Sequence, residues 1–340
     1  NKLYTNSNLP IDVIISPELE VSKSLLRKLE APGALDNVPF ADGKIKLLEI
    51  NIKDNCPLVK TTLGKLTDMF PKLEANIIGV IRDEKFVILK KKDKLLIKDK
   101  AFVVINASQI NQTLSAFGHE EKVSKSILII GGGNIGFNLA KQLEENFEGT
   151  RVKIIEKDKS RAEFIANELN NTIVINGNGL DDDVLKEANI EEIETVLALT
   201  NDDEDNIMAS VLSEKFNPNK RTIALVNKQN YSLLQSSLKI DDLIDPRMTT
   251  VSTILKYAHK GTIETVYSLL DGEYEFIEAE VLETSELINK SIKESNLPQE
   301  IRIGAIVRKK KVIIPKTTSR FMKEDRESKT RCFRDIWFKG

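Results

Sequence analysis

The chain has 340 residues, enough for about two to three domains. Its 50 basic and 52 acidic residues leave a net charge of −2, which excludes a general attraction to nucleic acid or anionic lipid; such binding would need a local patch. With 41% hydrophobic and 30% charged residues the composition is globular, and two cysteines, Cys56 and Cys332, exclude a disulfide scaffold and read as free thiols in a reducing compartment.

The opening Asn1-Lys2-Leu3-Tyr4-Thr5 carries no secretory signal and reads as an internal position of a longer chain. The first 118 residues contain segments that recur later. Ile15-Ser16-Pro17 returns as Ile244-Asp245-Pro246, Ser24-Leu25-Leu26 as Thr253-Ile254-Leu255, and Leu48-Glu49-Ile50 as Ile277-Glu278-Ala279, all at an offset of 229. Ile78-Gly79-Val80-Ile81 returns as Ile303-Gly304-Ala305-Ile306 at 225. Residues 1–118 therefore repeat the latter half of a unit spanning about 124–326. The repeat predicts a first nucleotide fold, with its own glycine loop, upstream of Asn1. The stretch 101–118 lacks charge but is broken by Asn106, Ser108, Gln109, Asn111, Gln112 and Thr113, so it cannot span a bilayer. Residues 118–126, with His119, Glu120, Glu121, Lys122 and Lys125, read as a polar linker.

Next come short apolar runs: Ile127-Leu128-Ile129-Ile130, Val152-Lys153-Ile154-Ile155, Thr172-Ile173-Val174-Ile175, Val196-Leu197-Ala198-Leu199 and Thr222-Ile223-Ala224-Leu225-Val226. Helical patterns such as 134–146 and 159–169 separate them. The grammar is that of βαβ units, a doubly wound parallel sheet buried on both faces.

Gly131-Gly132-Gly133-Asn134-Ile135-Gly136 fits G-x-G-x-x-G between a buried-type strand and a helix. Gly131 would permit the tight turn, Gly133 the approach of a pyrophosphate, and Gly136 close packing of helix on strand. The helix start at Asn134 and Ile135 would present free N–H groups to the phosphates. Glu156, 25 positions after Gly131, ends the second strand and can accept both hydroxyls of an adenine ribose, favouring NAD(H) over NADP(H). Lys157 and Arg161 blur that preference. Gly177 and Asn178, in the turn after the third strand, would border the adenine side; turn chemistry alone would account for the glycines equally well. Thr200 and Asn201 follow the fourth strand at the crevice, where Asn201 with Glu204 also fits a capping box.

From Gly272 the pattern changes to a small β-α-β-β module: alternation over 273–283, a short helix pattern, then strands at 301–307 and 311–314. After it, the first unit's pattern calls for a strand like Ala101-Phe102-Val103-Val104-Ile105, but Glu327-Ser328-Lys329-Thr330-Arg331 stands there, so the final strand is missing or the tail is foreign. No proton-handling residue stands near the glycine loop, since His119 is in the linker and His259 lies late in a helix pattern. H-E-x-x-H, C-x-x-C, G-x-S-x-G and a P-loop lysine are all absent. No catalytic residue and no metal site are expected; binding without turnover is the simpler reading.

The segments 127–136, Ile155-Glu156, Asn176-Gly177-Asn178-Gly179, 198–208 and Ile303-Gly304-Ala305-Ile306-Val307-Arg308, with Glu30-Ala31-Pro32-Gly33-Ala34-Leu35 in the first unit, together resemble the TrkA family. Its members are peripheral nucleotide-binding subunits of bacterial Trk potassium uptake systems, built from tandem RCK (KTN) units. The resemblance implies a Rossmann-like N domain plus small C domains in tandem: 1–34 as the remnant of a first N domain, 35–117 as the first C domain, 118–124 as linker, 125–262 as the second N domain and 263–340 as the second C domain with an atypical tail. It implies NAD(H), with ADP or ATP as further ligands, at Gly131, Gly133, Asn134, Ile135, Gly136, Glu156, Lys157, Gly177, Asn178, Thr200 and Asn201. Asn178 stands where the family often has Asp, and Leu225 where many related domains have an arginine reaching the phosphates. The first takes the charge from a ligand contact; the second favours NAD(H) or ADP over a triphosphate. The implied partner is an integral membrane potassium-translocating subunit of the Trk type, met by a homo-oligomer lying in the cytoplasm against the inner face of the plasma membrane; no nucleic acid is implied. Two rival readings stay open: an NAD-dependent oxidoreductase with an unrecognised substrate domain, and a regulator of potassium efflux.

Overall fold

The computed structural model describes residues 14–258 apart from 219 and 236, then 263–269, 274–281, 285, 287–298, 301–308, 311–316, 318–321 and 331–335. The chain divides into two compact units: 1–29 with 123–254, and 30–122 with 255–340.

Helix α1 (Pro17–Glu30) opens on a proline, whose fixed φ suits a first helical position. Val21, Leu25 and Leu29 recur every four residues, so they share one face, and all three are buried.

A five-stranded antiparallel sheet follows, from β1 (Asp36–Phe40), β2 (Ile45–Asn51), β3 (Ala75–Arg82), β4 (Lys85–Val87) and β5 (Lys100–Asn106) in the order β1-β2-β5-β3-β4. The short α2 (Leu66–Met69) lies between β2 and β3, and α3 (Ile110–Ala116) follows β5. The sheet is apolar on both sides. Val103 and Ile105 face a cluster with Ile110, Leu114 and Phe117, while Phe102 and Val104 face the opposite way. His119 is not in a free linker. It is buried, its Nε2 lies 2.9 Å from the Asn51 carbonyl oxygen, and its Cβ packs under Gly33.

The first unit holds a six-stranded parallel sheet made by β6 (Ser126–Ile130), β7 (Arg151–Glu156), β8 (Ile173–Asn176), β9 (Thr195–Ala198), β10 (Arg221–Leu225) and β11 (Asp242–Ile244). The order β11-β10-β9-β6-β7-β8 reverses direction between β6 and β9. That reversal is the topological switch point, where ligands bind open α/β sheets. Helices α4 (Asn134–Asn146), α5 (Lys159–Glu168), α6 (Asp182–Glu187), α7 (Asp203–Phe216) and α8 (Pro246–Ala258) accompany it. Ile127, Ile129, Val152 and Ile154 pack on one face with Leu139 and Leu143 of α4 and with Val21, Leu25 and Leu29 of α1. Leu128, Ile130, Ile155 and Val196 pack on the other with Leu185 and Ala209. Both residues of each strand period are therefore buried, which is why the strands read as unbroken apolar runs. Helix α1 is also tied down by charge. Asp242 Oδ1 meets Lys28 Nζ at 3.0 Å, and Oδ2 meets Arg221 Nη2 at 2.6 Å.

The second antiparallel sheet uses β12 (Ile263–Leu269), β13 (Tyr274–Glu280), β14 (Arg302–Arg308), β15 (Lys311–Ile313) and β16 (Arg331–Asp335) in the order β12-β13-β16-β14-β15. The position of β16 corrects the expected loss of the last strand. It lies between β13 and β14 as β5 lies between β2 and β3, displaced a few residues toward the C-terminus. The short helix expected before β14 is also corrected. The described residues there form turns, with a Ser291–Glu294 hydrogen-bonded turn and bridges from Ile288 and Ser291 to Phe321 and Arg320. This sheet's Phe276, Leu269, Ala305 and Val307 join Phe102 and Val104 of the first sheet in one core, with Phe102 stacked on Phe276 at 5.6 Å. His259 lies outside the described residues.

Candidate functional site

The site grows from the end of β6. Gly131 has φ +106, and its N–H donates to the Ile155 carbonyl at 2.9 Å. A Cβ there would sit 2.9 Å from the Leu199 backbone, so only glycine closes this turn without strain. Helix α4 then starts with Gly133 at the cap position and no side chain capping it. A Cβ on Gly136 would come within 2.1 Å of the Gly131 carbonyl oxygen, so the helix is pressed against the turn. A Cβ on Gly133 would meet nothing within 4 Å. The uncapped helix end therefore opens onto empty space that a larger residue would fill, an arrangement suited to an anionic group.

Glu156 ends β7 and turns toward this loop. Its Oε2 accepts the Gly132 N–H at 2.7 Å and its Oε1 accepts the Asp158 N–H at 2.8 Å. Arg161 holds the next peptide of the same glycine, Nε donating to the Gly132 carbonyl at 2.8 Å. Its guanidinium lies 5.5 Å from the Phe137 ring centre and 4.9 Å from that of Phe164. Asp158 caps α5 by accepting the Arg161 N–H at 2.7 Å, which puts Arg161 in the first turn; the Ser160 hydroxyl and that N–H hold the Asp158 carboxyl below its ordinary range. Arg161, expected from the sequence to blur the cofactor preference together with Lys157, also braces the glycine loop. The legible signal was the Asp-x-x-Arg spacing after an acidic strand end.

A cleft of about 170 Å³ lies at the switch point. Seven of the eleven candidate residues line it: Gly131, Glu156, Lys157, Gly177, Asn178, Thr200 and Asn201. Gly133, Asn134, Ile135 and Gly136 do not line it; they form the adjoining helix start. Asn178 Oδ1 accepts the Leu180 N–H at 3.0 Å, so this side chain shapes its own turn. The anticipated capping box is corrected. The N-cap of α7 is Asp202, which accepts from the Asp205 N–H, and not Asn201. Glu204 reaches away to Lys228 and Tyr231, whose hydrogen bonds hold its carboxyl down to about 2.

Sequence reading missed Asn206. It is 1% exposed, its Oδ1 accepts from the Thr200 N–H and hydroxyl at 2.8 Å each, and its Nδ2 donates to the carbonyls of Thr200 and Leu225. It thereby fixes the loop that carries Thr200 and Asn201. The Leu225 side chain is buried in the core, so that position offers no charge to the cleft. Among the described residues no group of three His, Cys, Asp or Glu is placed to hold a metal ion, and no helix is long and apolar enough to cross a membrane.

Comparison with known proteins places these features in a family. The TrkA-N domain model matches residues 127–246 and the TrkA-C domain model matches 47–118 and 276–326. The Trk system potassium uptake protein TrkA of Azorhizobium caulinodans is 40% identical over 324 residues, which cover 95% of this chain and 70% of that protein. Among solved structures, the GsuK RCK domain aligns with a TM-score of 0.55 at 17% identity, over 97% of this chain and 69% of that one. A GsuK channel bound to NAD aligns with a TM-score of 0.53 at 17% identity, over 96% and 56%. At that identity the two structures speak for the fold alone: Rossmann-like sheets with small β-rich domains. The match over most of both sequences does more, and this chain belongs to the TrkA family of Trk potassium uptake proteins.

Proposed function

We propose that this chain is a regulatory subunit that binds NAD(H), or failing that ADP or ATP, in the switch-point cleft and thereby controls a membrane potassium-translocating subunit of the Trk type. The observation that carries the reading is the open space at Gly133 beside an uncapped helix end. Gly131, Gly133, Asn134, Ile135 and Gly136 would hold the diphosphate, since no side chain caps the start of α4, although Glu156 already takes the neighbouring Gly132 N–H. Glu156 keeps lone pairs on both oxygens after accepting its two backbone N–H groups, and would accept the ribose hydroxyls. Lys157, Gly177, Asn178, Thr200 and Asn201 would border the remaining part of the nucleotide. A bound nicotinamide cofactor would supply a redox-sensitive ligand, and the chain would read its presence without turning it over. The relatives' names as potassium uptake proteins, and the NAD-bound state of a channel with this fold, support the assignment.

Binding controls a partner only if the nucleotide has different affinity for two arrangements of the protein. A coupling of about 1–3 kcal/mol, roughly 5–150-fold, is ordinary for such devices. The protein would act at the inner face of the plasma membrane as a homo-oligomer, closed and symmetric as most oligomers are. The test has two arms. NADH fluorescence on addition of the chain should saturate and be reversed by ADP. Potassium flux through a reconstituted Trk membrane subunit should then respond to NADH only when the chain is present. Flux indifferent to nucleotide, or steady NADH consumption, would overturn the reading.

A further inference from the structure

The net charge of −2 hides a local concentration of the opposite sign. Residues 90–98 read Lys-Lys-Lys-Asp-Lys-Leu-Leu-Ile-Lys: five lysines, one acid and three apolar residues between β4 and β5. All five lysines are exposed and none makes an ion pair among the described residues. The single acid is engaged locally, Asp93 Oδ2 accepting the Lys90 N–H at 2.7 Å. Leu63 and Gly64 hydrogen-bond to the Asp93 and Lys91 carbonyls, which adds the exposed Lys65 to the same edge.

The apolar residues divide in two. Leu95 is fully buried and anchors the turn, but Leu96 is 47% and Ile97 52% exposed. They do not flap outward on a loose loop. Asp99, 2% exposed, takes both Nε and Nη2 of Arg82 at 2.8 and 2.7 Å and also accepts the Leu96 N–H at 2.8 Å. The Lys98 N–H donates to the Ile52 carbonyl, and Lys98 itself sits at φ +73, a conformation a lysine adopts only when its surroundings impose it. The turn is thus rigid and holds two aliphatic side chains in water.

The fold does not demand this. The hairpin pairs Arg82–Lys85 and Arg308–Lys311 set the offset here at 226, so the equivalent of Leu95 in the second antiparallel sheet is Phe321, likewise buried at 1%. The next residues there are Met322, Lys323 and Glu324, one apolar residue and a mixed pair of charges. The Leu96-Ile97 pair within a lysine ring belongs to the first turn alone.

We propose that the turn 90–98 docks on an anionic lipid surface, with Leu96 and Ile97 entering the boundary between headgroups and acyl chains and the lysines meeting the headgroup phosphates. A purely polyanionic partner such as nucleic acid would satisfy the lysines and leave the aliphatic pair in water. A negatively charged bilayer satisfies both, because apolar burial and attraction to anionic lipid add. The contact is independent of the nucleotide cleft.

The test is flotation of the 340-residue chain with phosphatidylcholine vesicles made with and without phosphatidylglycerol. The chain should float with the anionic vesicles, weakly or not at all with the neutral ones, and less as salt is raised. Two variants divide the contributions: Leu96→Ser with Ile97→Ser, and Lys90, Lys91, Lys92 and Lys94 each →Gln. Each set should weaken flotation by about tenfold or more while leaving the thermal unfolding midpoint in place, because all six side chains are exposed. Flotation that ignores phosphatidylglycerol, or that survives both variant sets, overturns the proposal. So does a chain that binds soluble polyglutamate as well as it binds vesicles, which would assign the turn to an acidic protein.

Discussion

The two halves of the parallel sheet both pair charge internally, Glu156 with the Gly132 and Asp158 N–H groups included, but they differ at one helix start. In the β9-β10-β11 half, internal charge is matched by internal partners. The Asp203 carboxylate, 5% exposed, accepts the Asn227 N–H and side-chain amide and the Lys228 N–H. Asp241 accepts the Thr222 N–H at 2.7 Å, and Asp242 is shared by Lys28 and Arg221. In the β6-β7-β8 half, the start of α4 has no capping side chain and faces open space at Gly133. Buried polar groups are normally satisfied from within. The half that stays open is therefore where an outside ligand belongs, and the closed half is the frame that holds it.

Substitutions in the closed half should act on stability first. The largest effect is expected at Asp242→Ala, which removes the carboxylate that Lys28 and Arg221 share at side-chain exposures of 14% and 16% and should cost about 3–5 kcal/mol in urea unfolding. Burial raises the Asp242 carboxyl, but the two cations outweigh it and bring it below its ordinary range. Its contribution is thus fully present above the usual aspartate range and lost only as pH falls through the depressed folded value. An acid unfolding midpoint that Asp242→Ala leaves unmoved would break this part of the comparison.

Next in size is Asn206→Ala, which removes three hydrogen bonds to Thr200 and one to Leu225 and should cost about 1–3 kcal/mol with weaker NADH binding. Loss of binding with unchanged stability would make Asn206 a ligand contact and not a support.

In the open half the order reverses, with binding affected before stability. Glu156→Gln leaves either the Gly132 or the Asp158 N–H facing an amide NH2, and should weaken NADH by about tenfold, or 1.4 kcal/mol. With Arg161 and Lys157 still beside it, the variant should also narrow the gap between NADH and NADPH. An unchanged preference would show that Glu156 does not select the ribose. The smallest effect is expected at Glu204→Gln. That carboxyl is exposed, so although Lys228 and Tyr231 hold it down to about 2, melting curves at neutral pH should overlay those of the parent chain.

Much of this architecture was legible. The expected helix over 134–146 is α4, and the 229-residue offset places the prolines that open α1 and α8, Pro17 and Pro246, as well as the first residues of β2 and β13, Ile45 and Tyr274. Strong periodicity and proline positions survive in local sequence. Three features did not. Strand β16 is polar and short, so only its slot between β13 and β14 identifies it. Asn206 has the look of an ordinary helix residue, and its role comes from a loop six positions away and a strand end nineteen away. His119 sits in a run of charges, and its burial depends on contacts with Asn51 and Gly33, distant in sequence. Long-range satisfaction of polar groups leaves no periodic trace.

The central claim rests on the space at Gly133, and one titration addresses it directly. Gly133 has extended backbone, φ −60 and ψ −169, and a Cβ there would have no neighbour within 4 Å, so Gly133→Val should fold like the parent chain. Calorimetric titration of NADH into both proteins should show saturable binding to the parent and a loss of about a hundredfold or more, near 3 kcal/mol, in the variant. Equal affinities in two equally folded proteins would contradict the assignment of the nucleotide to this cleft.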